Sequence, residues 1–183
     1  VEKLMAVAER VSPLMALLIT LMDSTGRRLS SVLGLQWDDF DFEKRTITWR
    51  AELDKKRRTW IVPMPTQAEV ALLDYRAEHP AIGSALVFPM MSDPAKPVTR
   101  HLASDWMKRA YRYAGIKRPK GSLWHAFRRR WATLRKDYPL RDLAAAGGWE
   151  DLPTALMYQH ADPETLRRVI DHPKPLQKRS QNG

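Results

Sequence analysis

The sequence predicts a mainly helical chain carrying one small antiparallel β-sheet, an α+β fold. Three observations lead there. Apolar residues recur at helical spacing through 2–22 and again in several stretches beyond residue 99. The period shortens to two in β-branched and aromatic runs at 46–49 and 59–62. Glycine, proline and short polar clusters divide these stretches into separate elements.

Taken in order, Leu4, Val7, Val11, Leu14, Leu17, Leu18 and Leu21 mark a helix over 2–22, with Pro13 either breaking it or opening a new first turn. Ser24-Thr25-Gly26 is a stop followed by a restart. Leu29, Val32 and Leu33 then begin a second amphipathic helix that ends near Gln36. The runs 46–49 and 59–62 form an antiparallel hairpin whose tip, 52–57, is charged. Pro63 and Pro65 end it, and Thr66 is placed to cap a helix running to about Glu78. Residues 80–97 are loop-rich, with a short strand at 85–88. Helices follow at about 99–114, 123–136, 139–146, 152–160 and 163–171, the third of them stopped by Gly147-Gly148. The polar tail 173–183 reads as mobile.

Composition narrows the function classes. Hydrophobic residues make up 44% of the 183 positions, enough for a packed core and against global disorder. No apolar run reaches 18 residues, so no membrane span is expected. Cysteine is absent, which excludes disulfides, thiolate metal sites and cysteine nucleophiles. Lys and Arg number 31 against 21 Asp and Glu, a formal charge of +10. That surplus favours polyanionic partners, nucleic acid first and anionic membrane second. Charge suggests a partner class and names no chemistry.

Four segments carry candidate chemistry. Thr25-Gly26-Arg27-Arg28-Leu29-Ser30, followed by Leu33-Gly34-Leu35-Gln36-Trp37-Asp38-Asp39, opens a helix with paired arginines. The hairpin tip holds Lys55 and Lys56, Lys55 eight residues before Pro63. Leu123-Trp124-His125-Ala126-Phe127-Arg128 sets His and Arg three apart, on one helix face. Gly147-Gly148-Trp149 precedes Tyr158 by nine residues from the Trp, inside Leu156-Met157-Tyr158-Gln159-His160. Planar forked cations suit the charge that grows on a reacting phosphate. A side-chain nucleophile that stores bond energy covalently allows resealing without ATP.

In order, wording and spacing these segments resemble the tyrosine recombinases of the phage-integrase type, over about residues 14–166. The resemblance implies that family's catalytic-domain fold for residues 1–172, with 173–183 a flexible tail. It implies Arg28, not Arg27, as the first phosphate clamp and Arg128 as the second. Lys55, with Lys56 as its neighbour and rival, becomes the general acid for the departing 5′ oxygen. His125 would bond the phosphate and help move the tyrosine proton, and Trp149 would donate its indole N–H to the phosphate. Tyr158 would attack the scissile phosphate and form a 3′-phosphotyrosyl link. No metal, nucleotide or small-molecule cofactor enters such a scheme.

The implied partner is double-stranded DNA, handled by a homo-tetramer on paired sites, in the cytoplasm of a bacterium or from a phage. No membrane partner is expected. Three departures from the family pattern stand out. Ser31 sits where an acidic residue often supports the first arginine. Arg129 replaces a histidine common after the second. The helical core-binding domain usually N-terminal to this one is missing, so the chain reads as half of a longer protein. Two rivals share the motifs: a type IB topoisomerase, disfavoured by Trp149 and by the wording of the first box, and a DNA-binding accessory protein without strand transfer, disfavoured because all six candidate side chains are present. A basic RNA-binding or membrane-surface protein leaves the ordered motifs unexplained.

Overall fold

The computed structural model of the chain describes residues 1–54, 57–149 and 152–156, together with 167 and 170. Its elements are α1 (Glu2–Met5), α2 (Met15–Thr25), α3 (Leu29–Leu33), β1 (Phe40–Asp41), β2 (Thr46–Trp49), β3 (Trp60–Pro63), α4 (Thr66–Glu78), β4 (Pro89–Met90), β5 (Asp93–Pro97), α5 (Arg100–Tyr113), α6 (His125–Thr133), α7 (Leu140–Gly147) and α8 (Leu152–Leu156). The mainly helical fold with small antiparallel sheets is the one expected. Among the described residues no helix is long and apolar enough to cross a membrane.

The expected first helix is two helices. Pro13 cannot donate to the preceding turn, and residues 6–14 run through turns, where Ser12 Oγ accepts from the Leu14 amide at 3.3 Å. The α2 helix that follows buries Met15, Leu17, Leu18, Ile19, Leu21 and Met22 and forms the centre of the core, packed against α3, α4 and α6. It runs on to Thr25, because Thr25 Oγ1 donates to the Leu21 carbonyl at 2.6 Å and Gly26 closes the end in the left-handed region at φ 63°. A Cβ at Gly26 would meet the Trp131 ring at 2.5 Å. Gly26→Ala should therefore lose about 2–3 kcal/mol, from the left-handed backbone and the displaced indole. A urea unfolding curve with unchanged slope would register it.

The three-stranded sheet has the order β1-β2-β3, antiparallel throughout, with Ile47 opposite Val62 and Trp49 opposite Trp60. Ile47 and Trp49 point into the core. The hairpin stands as expected, but β1 was not foreseen: two residues, Phe40 and Asp41, give no period to read. The expected strand at 85–88 is instead a single bridge, Gln36 to Leu86, flanked by Trp37 N to Ala85 O at 3.0 Å and Val87 N to Leu35 O at 2.9 Å. Strands form just beyond it, at β4 and β5.

Thr66 is the first residue of α4 rather than its cap. Pro65, at φ −61° and ψ 138°, supplies the non-helical step, and Thr66 Oγ1 accepts from Arg45 Nη2 at 3.1 Å. Thr99 does cap α5, accepting from the Leu102 amide at 3.1 Å. The helix expected at 123–136 is shorter, as α6, and the one expected at 139–146 keeps its length and moves by one residue, as α7. The helix expected at 152–160 is described only as α8, over Leu152–Leu156, and that at 163–171 and the tail at 173–183 lie outside the described residues apart from 167 and 170.

Candidate active site

The α6 helix is docked on the C-terminal end of α2 by three bonds. Trp131 Nε1 donates to Ser24 O at 2.9 Å, Arg130 Nη1 pairs with Asp23 Oδ1 at 2.6 Å, and Arg128 Nη1 donates to Gly26 O at 2.6 Å. The start of α6 is held by Trp124, whose Nε1 donates to Ala103 O on α5 at 3.0 Å. This docking brings residues of the first and third motifs to one place.

That place is a cleft of about 470 Å³ whose wall includes Arg27, Arg28, Arg100, His101, His125 and Arg128. No carboxylate is among its described lining residues. Four guanidiniums and two imidazoles around one opening make a strongly positive field, suited to phosphate oxygens.

Arg28 stands at the N-cap of α3 in extended backbone (φ −71°, ψ 144°), with an exposed side chain at the cleft. Among the described residues it makes no ion pair. Arg128 is only 2% exposed. Its Nη1 also donates to Gly147 O at 2.6 Å, so one nitrogen serves the C-terminal ends of both α2 and α7. The negative ends of two helix dipoles thus favour the buried cation. Its guanidinium carbon lies 3.8 Å from the centre of the Trp149 ring.

Trp149 is 3% exposed, packed 5.9 Å from Trp131, and is not in the cleft wall. It lies behind Arg128, and its described contact there is the ring face under the cation. Ser31, where an acidic support for Arg28 was a family expectation, instead donates from Oγ to Leu53 O on the hairpin arm at 2.7 Å. Lys55, Lys56 and Tyr158 lie outside the described residues.

His125 opens α6 three positions before Arg128, exposed at the rim. Desolvation of its inner side, with Arg128, Arg129 and Arg28 nearby, lowers its pKa below the ordinary 6.5. It is therefore neutral at pH 7, able both to donate and to accept. The sign for stability follows. Above pH 6.5 both folded and unfolded forms leave it neutral and it contributes nothing. Below that, the unfolded chain binds the proton first, so stability falls with pH until the folded-state pKa is passed. Imidazole nitrogen NMR should show His125 titrating below 6.5 in the free protein, and inorganic phosphate in the cleft should move that titration upward. Titration at or above 6.5 without phosphate would contradict the geometry.

Three wall residues were not singled out in the sequence. Arg100 and His101 sit in the first turn of α5 and had no motif around them, only the Thr99 cap as a positional signal. Arg27 was visible but set aside in favour of Arg28. It is 4% exposed, with Nη2 donating to Ala145 O at 3.4 Å, and burial lowers its pKa to about 10, against an opposing pull from Asp54 and with a further lowering by Arg28.

Comparison with known proteins gives the following. A family model described as "Phage integrase family" matches residues 1–165. Tyrosine recombinase XerC 2 of Ralstonia nicotianae is 30% identical over 169 residues, covering 88% of this chain and 47% of that protein. The integrase of Shigella phage Sf6 is 26% identical over 155 residues, 85% of this chain and 36% of its own. The chain thus spans about half the length, or less, of these curated relatives. Among solved structures, XerA recombinase superposes with a TM-score of 0.71 at 21% identity, over 95% of this chain and 63% of that one. XerH site-specific recombinase bound to its difH substrate gives 0.69 at 23%, over 93% and 52%. At these identities the structures speak for the fold.

Proposed function

Since this chain belongs to the phage integrase family, we propose that it is the strand-cleaving domain of a site-specific tyrosine recombinase that integrates or excises DNA. The observation that carries the reading is the cleft in which Arg28, His125 and Arg128 converge with Arg100, with no carboxylate among its described lining residues. Arg28 and Arg128 would bind the non-bridging oxygens of the scissile phosphate. Neutral His125 would bond the same phosphate and take part in moving the tyrosine proton. The Trp149 ring would hold Arg128 from behind.

In the proposed step the Tyr158 hydroxyl oxygen attacks phosphorus and passes its proton to His125 as the P–O5′ bond breaks. Lys55 gives a proton to the departing 5′ oxygen, leaving a 3′-phosphotyrosyl link and a free 5′ hydroxyl. Rejoining runs the same exchange backwards with another strand's 5′ hydroxyl. A phenol with a pKa near 10 needs cationic surroundings to react at neutral pH.

Double-stranded DNA is the proposed substrate, in keeping with the +10 charge and with XerH having been solved on its own site. We take residues 1–172 as the catalytic unit, preceded in the whole protein by a helical domain that clasps DNA, and acting as a tetramer on paired sites in the cytoplasm. The test is covalent capture. The full-length protein is incubated with a pool of nicked duplexes of randomised sequence, and protein-linked DNA is recovered under denaturing conditions. Recovery of a defined sequence joined through a 3′ phosphate supports the reading, whereas retention of DNA with no covalent product favours an accessory binding protein.

A further inference from the structure

Arg27 is a buried cation that the cleavage scheme does not use. Its guanidinium lies over the rings of Trp49 (5.0 Å) and Trp60 (5.9 Å), the last paired residues before the hairpin tip. On its other side Nη2 reaches Ala145 O in the last turn of α7. Gly148, left-handed at φ 68°, presses against it so closely that a Cβ there would collide with Nη1 and lie 2.8 Å from Cζ. Asp54 attracts the buried group and opposes the lowering of its pKa by burial, and Trp60 Nε1 donates to Asp54 Oδ2 at 3.1 Å. One side chain therefore touches both the hairpin arm, which continues from Asp54 into Lys55, and the turn that delivers Trp149.

Stability alone does not account for an arginine here. Nε of Arg27 is buried with no hydrogen-bond acceptor among the described residues. A stranded donor is unfavourable by about 1–3 kcal/mol, and a well-packed apolar side chain of similar length is often as stable as a buried charge. Such a cation makes sense where its fixed geometry serves the site, through planar stacking on two indoles and a directed N–H to a helix end.

We infer that Arg27 is a positioning residue that ties the hairpin arm to the end of α7 and thereby sets protonation of the leaving 5′ oxygen. The inference rests on the cleavage reading above. Arg27 need not touch DNA to act. It would hold Asp54, and with it the start of the hairpin tip, at a fixed distance from Arg28 and Arg128.

The test uses the full-length protein and a captured nicked duplex made in two forms, with oxygen or with sulfur bridging phosphorus to the 5′ carbon. A thiolate leaves without help from an acid, so a defect in protonating the leaving group disappears on the sulfur substrate. Arg27→Met should cleave the oxygen substrate about 30-fold more slowly, a fraction of what a general acid provides, and cleave the sulfur substrate within about threefold of the parent. Hydrogen exchange should quicken at both Trp60 and Trp149. Trp60→Phe, which keeps a ring under Arg27 but loses the bond to Asp54, should show the same selectivity to a smaller degree, and it decides the matter if Arg27→Met does not fold by circular dichroism. Parental rates on oxygen, or equal losses on both substrates, would overturn the inference while leaving the cleavage reading intact. A parent protein that cleaves neither substrate would overturn the cleavage reading and this inference with it.

Discussion

Tyr158→Phe should abolish covalent capture of DNA while leaving DNA binding within about twofold of the parent. The change removes one oxygen, and with it the only atom able to form the phosphodiester-like link in the proposed step. No partial activity is expected, because a missing nucleophile is not replaced by better binding, and the loss should exceed about 10³-fold. A denaturing gel of protein on a nicked duplex reads this directly. The nick lets the short cleaved strand diffuse away, so the adduct accumulates. An adduct that persists in the variant would mean that another side chain is the nucleophile. The alternatives are the other tyrosines, and peptide mapping of the adduct would identify which.

The two clamp arginines should behave in opposite ways when each is changed to alanine. Arg28→Ala removes an exposed side chain with no ion pair among the described residues, so stability should stay within about 0.5 kcal/mol. Cleavage should nonetheless fall about 10²–10³-fold, as expected when a donor to a developing phosphate charge is lost. Arg128→Ala strands the carbonyls of Gly26 and Gly147 and leaves a void above Trp149. It should lose about 3–5 kcal/mol of stability, as when one side of a buried charged contact is removed. For a chain of this size that is a fall of roughly 10 °C or more in melting temperature. Urea unfolding beside single-turnover cleavage separates the two. Equal stabilities for both variants would contradict the bonding described for Arg128.

The pairing of His125 with Arg128 was legible in the sequence because it is local. A spacing of three puts His125 and Arg128 on one face of any helix, and α6 keeps it. The turn chemistry of Gly26 and Gly148 also followed from residue type, and both sit in the left-handed region. Other features had no local signal. The β1 strand is too short to show a period, and Thr66 lost its capping position to Pro65, which already holds the extended conformation that a cap requires.

The neighbouring arginines show where the sequence stops. Arg27 and Arg28 are adjacent and chemically identical, and resemblance to a family chose Arg28 as the clamp. The sequence by itself determined the alternation of helices with one hairpin, the positive charge, and the order of the candidate motifs. Only the tertiary structure decided that Arg27 is a buried strut and Arg28 the exposed group at the cleft. It also decided that Trp149 lies behind Arg128 and that Ser31 serves the hairpin. The physical reason is range. Periodicity and turn preference act over a few residues, whereas the bond from Arg27 to Ala145 spans 118 positions and that from Arg128 to Gly26 spans 102. A buried guanidinium takes its role from whichever carbonyls and rings the fold brings to it, and those partners come from distant parts of the chain.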